Sequence, residues 1–292
     1  MSAKFQTYHP APLFGADYRR LRDFLITLDS GNYHFGRWDW MITHSYLDAS
    51  GLPKIGLWED DGTVVAAATY DCELGRAYLL ALPGYEALRG EMLMYAQDNL
   101  DKDGQFAVLI RDGDLALQTL AMQQGYRPTQ EQERDAVYLL DLPIVPPTLP
   151  DGFSITSLRE TYDPFRYGQA LWRGFNHETD GEGPYVHNDK LALELERPHV
   201  NLDLKIAIVA PGGDFVSFCG MWQDSRCQSA LVEPVATDPA YRGLGLGRAA
   251  VTEALRRCAA LGAKRAYVGS SQQFYYHIGF RPYAASTWWK RH

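Results

Sequence analysis

The chain has 292 residues, a formal net charge of -8 and 46% hydrophobic residues, the make-up of a globular protein with one large domain or two ordinary ones. That charge argues against a surface built for nucleic acid, which needs clustered Lys and Arg to meet phosphates. No apolar run approaches the roughly 20 residues of a membrane helix, so no membrane partner is expected. Met1–Pro10 lacks the basic-then-apolar pattern of a secretory signal. Cys72, Cys219, Cys227 and Cys258 show neither metal-ligand spacing nor disulfide density, so the expectation is a cytoplasmic protein with reduced thiols and no metal.

Taken in chain order, Asp17–Leu28 has the composition of an opening helix. Ile55–Trp58, the turn Glu59–Gly62 and Thr63–Tyr70 predict a β-hairpin. Leu115–Gln124 predicts a helix that stops at Gly125-Tyr126-Arg127-Pro128. The stretch Leu142–Gly152 then carries Pro143, Pro146, Pro147 and Pro150. Proline fixes φ and lacks an N–H, so this stretch is an extended linker. Beyond it the same order returns. A helix is predicted over Pro164–Phe175, a hairpin from Leu204–Ala210 and Phe215–Trp222 around Pro211–Asp214, then a strand, a helix and another strand. A last helix stops at Gly279-Phe280-Arg281-Pro282, in the pattern of Gly125–Pro128. The shared ending and the linker position predict a duplication, with domains at 1–142 and 152–292 joined by 143–151. Hairpins followed by β-α-β imply an α/β fold whose mixed, mostly antiparallel sheet is flanked by helices.

The most informative stretch is Leu231-Val-Glu-Pro-Val-Ala-Thr-Asp-Pro-Ala-Tyr-Arg242-Gly-Leu-Gly245-Leu-Gly247-Arg-Ala-Ala-Val251. It predicts a strand, a turn at Asp238-Pro239, a glycine-rich loop and a helix over Arg248–Leu261. Val251, Leu255 and Cys258 mark the buried face of that helix. Alternate glycines let backbone amides turn inward, and the helix start adds unpaired N–H groups and partial positive charge, an arrangement suited to a diphosphate. A dinucleotide fold would need G-x-G-x-x-G early in a βαβ unit. A P-loop would need Gly-Lys-Ser/Thr, whereas Gly247 is followed by Arg248-Ala249. A turn without a ligand is the remaining alternative.

Arg242-Gly-Leu-Gly245-Leu-Gly247 resembles the pyrophosphate loop of the GCN5-related N-acetyltransferases (GNAT). Pro234-Val-Ala-Thr-Asp-Pro and Phe274-Tyr-Tyr-His-Ile-Gly-Phe280 fall where that family has its splayed central strand and its last helix. The resemblance covers most of 152–292 and, in element order, the first half. It implies two tandem acyl-CoA N-acyltransferase folds, the first degenerate.

What the resemblance implies about chemistry follows residue by residue. Acetyl-CoA would be the co-substrate. Its pantetheine arm would pair with the backbone of Val235, Ala236 and Thr237, and its diphosphate would sit on the amides of Gly243, Leu244, Gly245, Leu246, Gly247 and Arg248, helped by the Arg242 side chain. Tyr275 would give a proton to the leaving sulfur; the alternative is a packed aromatic between Phe274 and Tyr276. Glu233 would take the amine proton if a bulge at Pro234 re-aims it from the face shared with Leu231 and Val235; otherwise it is structural or orients substrate. His277 and His187 are lesser candidates. The acidic loop Phe175–Tyr185, with Trp172, Trp288 and Trp289, would suit a cationic acceptor. The expected reaction is acetyl transfer to a primary amine, most simply of a small molecule, by direct attack in a ternary complex. A non-catalytic acyl-CoA sensor and a protein N-acetyltransferase stay open as alternatives, as does the oligomeric state, a homodimer included. In the first half an ungapped shift puts Leu88, Glu91 and Leu93 at the places of Arg242, Gly245 and Gly247, and Ala121 at that of Tyr275. That half is therefore expected to have lost the cofactor site and to act as a scaffold.

Overall fold

A computed structural model describes residues 3–187 and 189–291; Met1 and His292, the ends of the domain ranges drawn above, lie outside the described residues. The elements run β1 (Lys4–Thr7), α1 (Ala16–Leu28), α2 (Phe35–Met41), β2 (Gly56–Asp60), β3 (Thr63–Asp71), β4 (Glu73–Ala81), α3 (Arg89–Asn99), β5 (Ala107–Arg111), α4 (Leu115–Gln123) and β6 (Tyr126–Leu139). The same succession then repeats as β7 (Ser154–Ser157), α5 (Pro164–Gly174), α6 (Asp189–Glu196), β8 (Lys205–Val209), β9 (Phe215–Gln223), β10 (Ser229–Thr237), α7 (Leu246–Ala260), β11 (Arg265–Val268), α8 (Gln273–Ile278) and β12 (Arg281–Arg291). No regular element falls between Asp141 and Phe153, where the prolines are.

Two compact units form, one from the described residues of 1–135 and 282–292 and one from those of 136–281. In the first, β1, β2, β3 and β4 pair antiparallel in that order, β4 pairs β5 in parallel, and β5 pairs β12 antiparallel. In the second, β7, β8, β9 and β10 pair antiparallel, β10 pairs β11 in parallel, and β11 pairs the end of β6 antiparallel. The two pairing patterns are the same, and both are mixed and mostly antiparallel. They differ from the halves drawn at the prolines in one respect: each unit takes its last strand from the other half of the chain. Ala136–Leu139 of β6 lie against Val268–Arg265, while Ser286–Lys290 of β12 lie against Arg111–Ala107. Trp288 and Trp289 therefore pair with Leu109 and Val108 in the first unit, a correction to their expected place beside the acceptor of the second.

The second unit buries its sheet on both faces. Val251, Leu255 and Cys258 of α7 are buried as their spacing predicts, and the small Ala249, Ala250 and Ala254 let the helix lie close on Ile206, Ile208, Met221 and Val232. On the opposite face, Tyr167 and Ala170 of α5 and Leu195 of α6 close over Ala207, Phe215 and Phe218. Gly279 ends α8 at φ 123° and Gly125 follows α4 at φ 89°, conformations that suit glycine.

Between Val232 and Val235 the register of β10 against β9 slips by one residue, so Glu233 and Pro234 together face Gly220. A Cβ on Gly220 would stand 2.5 Å from Glu233 O and 3.1 Å from Pro234 Cδ. Gly220→Ala should accordingly cost about 1–3 kcal/mol in urea unfolding, as other overpacked sites do. Gly113→Ala, where an added Cβ meets nothing within 4 Å, should stay within about 0.5 kcal/mol of the parent. Equal stability of the two variants would contradict the tight approach.

Candidate acyl-CoA site

The gap in the second unit arises from where pairing stops. Ser229–Leu231 of β10 pair with Arg265–Tyr267 of β11, and β10 then runs on to Thr237 with no strand beside it on that side among the described residues. The bulge at Glu233-Pro234 changes which residues face which layer. In a regular strand Val232 and Ala236 would share a face. Here Val235 joins Val232 on the α7 side, while Ala236 turns to α5. A Cβ on Gly174, at the end of α5, would lie 2.6 Å from Ala236 Cβ and 2.8 Å from Thr237 N, so helix and strand approach as closely as glycine permits.

The glycine loop opens at the end of that strand. Gly243 and Gly245 have φ of 82° and 78°, and an added Cβ at either would point into open space. Gly247 serves a different purpose: its Cβ would meet Thr237 Oγ1 at 2.9 Å and the Phe274 ring at 3.3 Å, so it lets the first turn of α7 lie against the strand end. No side chain caps α7. The amides of Leu246, Gly247 and Arg248 thus lack partners within the helix, at its positive end. An open cradle, uncapped amides and a free strand edge fit a diphosphate carried on an extended arm.

Arg242 is oriented differently from the sequence expectation. Its Nε donates to Thr237 O at 3.0 Å, and its Nη2 donates to Gly174 O at 2.9 Å and Asn176 Oδ1 at 2.7 Å. The guanidinium thus ties the loop to the end of α5, leaving the anion-facing donors chiefly to the backbone.

Tyr275 of α8 is buried, with ring centroids 5.0 Å from Phe274 and 5.5 Å from Phe280. Burial, then the nearby Cys219 and Glu233, push its phenol above the usual 10, so it holds its proton at neutral pH. His277 is exposed at the end of α8. His187 is exposed and lies by Tyr185 and Phe165. In the loop after α5, Trp172 stacks on His177 with centroids 4.2 Å apart and donates to Gly183 O at 3.0 Å.

One cluster escaped the sequence reading. Trp222 of β9 donates from Nε1 to Glu233 O at 2.9 Å, bracing the bulge. Arg197 lies 5.0 Å and Lys205 Nζ 3.6 Å from its ring centre. Tyr167 donates to Glu194 at 3.2 Å beside them. The available signal was Lys205, the one charge in the apolar run Leu204–Ala210.

In the first unit the corresponding helix start is built differently. Leu88, which caps α3, has φ -72° where Gly245 has 78°. Glu91, in the first turn, accepts from Trp58 Nε1 at 2.9 Å and sets a carboxylate against the helix's positive end.

Residues 203–282 match the family model described as an acetyltransferase (GNAT) domain. Over the whole chain the fold is similar to that of a GCN5-related N-acetyltransferase from Sphaerobacter thermophilus, with a TM-score of 0.60, 17% identity, and 99% of this chain and 95% of that chain covered. It is also similar to a tandem GNAT protein from the clavulanic acid biosynthesis pathway (0.59, 13%, 99% and 98%) and to a GNAT-family acetyltransferase from Colwellia psychrerythraea (0.56, 12%, 98% and 100%). No curated protein sequence matches the chain. Residues 203–282 thus match an acetyltransferase (GNAT) domain, and the chain as a whole has the fold of tandem GNAT structures. No helix among the described residues is long and apolar enough to cross a membrane.

Lys205 gives the site a pH signature. Burial, followed by the like charge of Arg197, lowers its pKa from 10.5 to about 7. Between those values the unfolded chain binds a proton that the folded chain does not, so stability rises with pH across this window and is lost as pH falls toward 7. The stability of the parent relative to Lys205→Met should therefore climb from pH 7 to pH 10 in paired thermal melts. A constant difference would mean that the lysine stays charged.

Proposed function

We propose that the second unit transfers the acetyl group of acetyl-CoA to a primary amine of a small molecule, both substrates being bound together. The observation that carries this reading is the open glycine cradle at the uncapped start of α7, set at the end of a strand whose edge is free. When bound, acetyl-CoA supplies the thioester carbon that the amine attacks. The amides of Gly243–Arg248 grip the diphosphate, and the backbone of Val235, Ala236 and Thr237 pairs with the arm as an added strand would. Arg242 holds the end of α5 against the loop.

Glu233, which sits at the bulge and is braced through its carbonyl by Trp222, accepts the amine proton directly or through water. The new C–N bond forms as the C–S bond breaks, and the departing sulfur takes the proton of Tyr275. The Tyr275 phenol carries its proton at neutral pH, and burial holds it in place. The acidic loop Phe175–Tyr185 and the net charge of -8 favour a cationic acceptor.

Tyr275→Phe should lower kcat on the order of 10²-fold, within the range of general acid catalysis, while leaving CoA affinity nearly intact. Unchanged turnover removes the acid assignment. Gly245→Asp places a carboxylate and an unfavourable φ in the cradle, so calorimetry should show CoA affinity reduced roughly a hundredfold or more. Full affinity in that variant would overturn the cofactor site. A CoA-release assay across amines, amino acids, polyamines, aminoglycosides and peptides identifies the acceptor, and release only with peptides would replace the small-molecule reading with a protein-modifying one.

A further inference from the structure

The first unit has no anion cradle, yet it holds a cavity of about 380 Å3. Trp40 of α2, Tyr78 of β4 and Trp288 of β12 provide aromatic surface, and Asp71 and Glu133 add carboxylates. Two arginines also line it, but both are engaged within the chain. Arg37 donates from Nε to Asp71 Oδ2 at 2.7 Å, with its guanidinium carbon 4.6 Å from the Trp40 ring centre. Arg76 pairs with Glu131 at 2.6 Å and stands 4.9 Å from the Trp288 ring centre.

The groups left without partners are acceptors. Glu133 takes both of its donors on Oε1, from Trp288 Nε1 at 3.2 Å and from Tyr78 Oη at a long 3.5 Å, while Oε2 has no partner. Asp71 Oδ1 is enclosed and has no hydrogen-bond partner. Oε2 of Glu133 is free to accept from a ligand in the cavity, and the enclosed Asp71 carboxylate adds negative charge behind it, so a ligand that brings charged N–H groups is favoured. Anions and neutral acceptors would add to the deficit.

We propose that this cavity is a second ligand site, which binds an organic ammonium ion between Glu133 and Asp71, its apolar part against Trp288 and Trp40. Aromatic faces and carboxylates together select cations. The size is sufficient, since a dry cavity of roughly 150 Å3 holds benzene. The site makes the first unit a reader of amines as well as a scaffold, and it does not depend on the transferase reading.

The test titrates the full chain with benzylammonium and with benzyl alcohol, followed by calorimetry and tryptophan fluorescence. Saturable binding of the cation, with the alcohol bound roughly tenfold or more weakly, is expected for the parent. Gly245→Asp should bind benzylammonium as the parent does, so a failed cofactor site and a failed amine site are told apart. Glu133→Gln keeps an acceptor for Trp288 and Tyr78 but loses the charge, and should weaken benzylammonium roughly tenfold or more. Absence of binding by the parent, equal affinity for alcohol and ammonium, or unchanged affinity in Glu133→Gln each overturns the proposal. Should Glu133→Gln fail to fold by circular dichroism, Trp40→Leu, which removes an aromatic face of this cavity and leaves the second unit untouched, takes its place: benzylammonium should again weaken, and unchanged affinity overturns the proposal.

Discussion

The second unit depends on one constraint: β10 must leave β11 after Leu231 while staying paired with β9 to Thr237. The extra residue at Glu233-Pro234 reconciles the two demands, and Gly220 provides the room for it. Because side chains alternate along a strand, that single added residue moves Val235 to the α7 face and turns Ala236 toward α5. Gly174 and Gly247 then let a helix end and a helix start approach the same stretch of backbone. The free edge and the close approach of α5 and α7 to it follow from this local break in regularity.

The two units share a pairing pattern and differ in the electrostatics at one helix start. In the second, left-handed glycines lead into an uncapped α7. In the first, α3 begins from a right-handed leucine and carries Glu91 in its first turn, hydrogen-bonded to Trp58. A carboxylate there satisfies the helix end internally and repels phosphate. The first unit's distinctive chemistry lies instead in the aromatic and carboxylate cavity around Glu133.

Each unit completes its sheet with a strand from the other half of the chain. The consequence for the first unit's cavity is direct, since Trp288 reaches it only because β12 pairs with β5. A cut at the proline-rich segment would therefore remove a strand from both units.

Sequence alone determined the local pieces: the helix ends at Gly125 and Gly279, the buried stripe Val251, Leu255 and Cys258, the repeated element order, and the loop Arg242–Gly247. These follow from backbone preferences and side-chain periodicity, which act over a few residues. Tertiary structure alone decided which strand β12 and the end of β6 would join, because alternation specifies the face a strand buries and not its partner. It also decided that Arg242 would hold Thr237, Gly174 and Asn176, and that Lys205, Arg197 and Trp222 would meet behind the bulge. Gly174 and Asn176 are far from Arg242 along the chain, as Trp222 is from Arg197, and only folding brings them within reach.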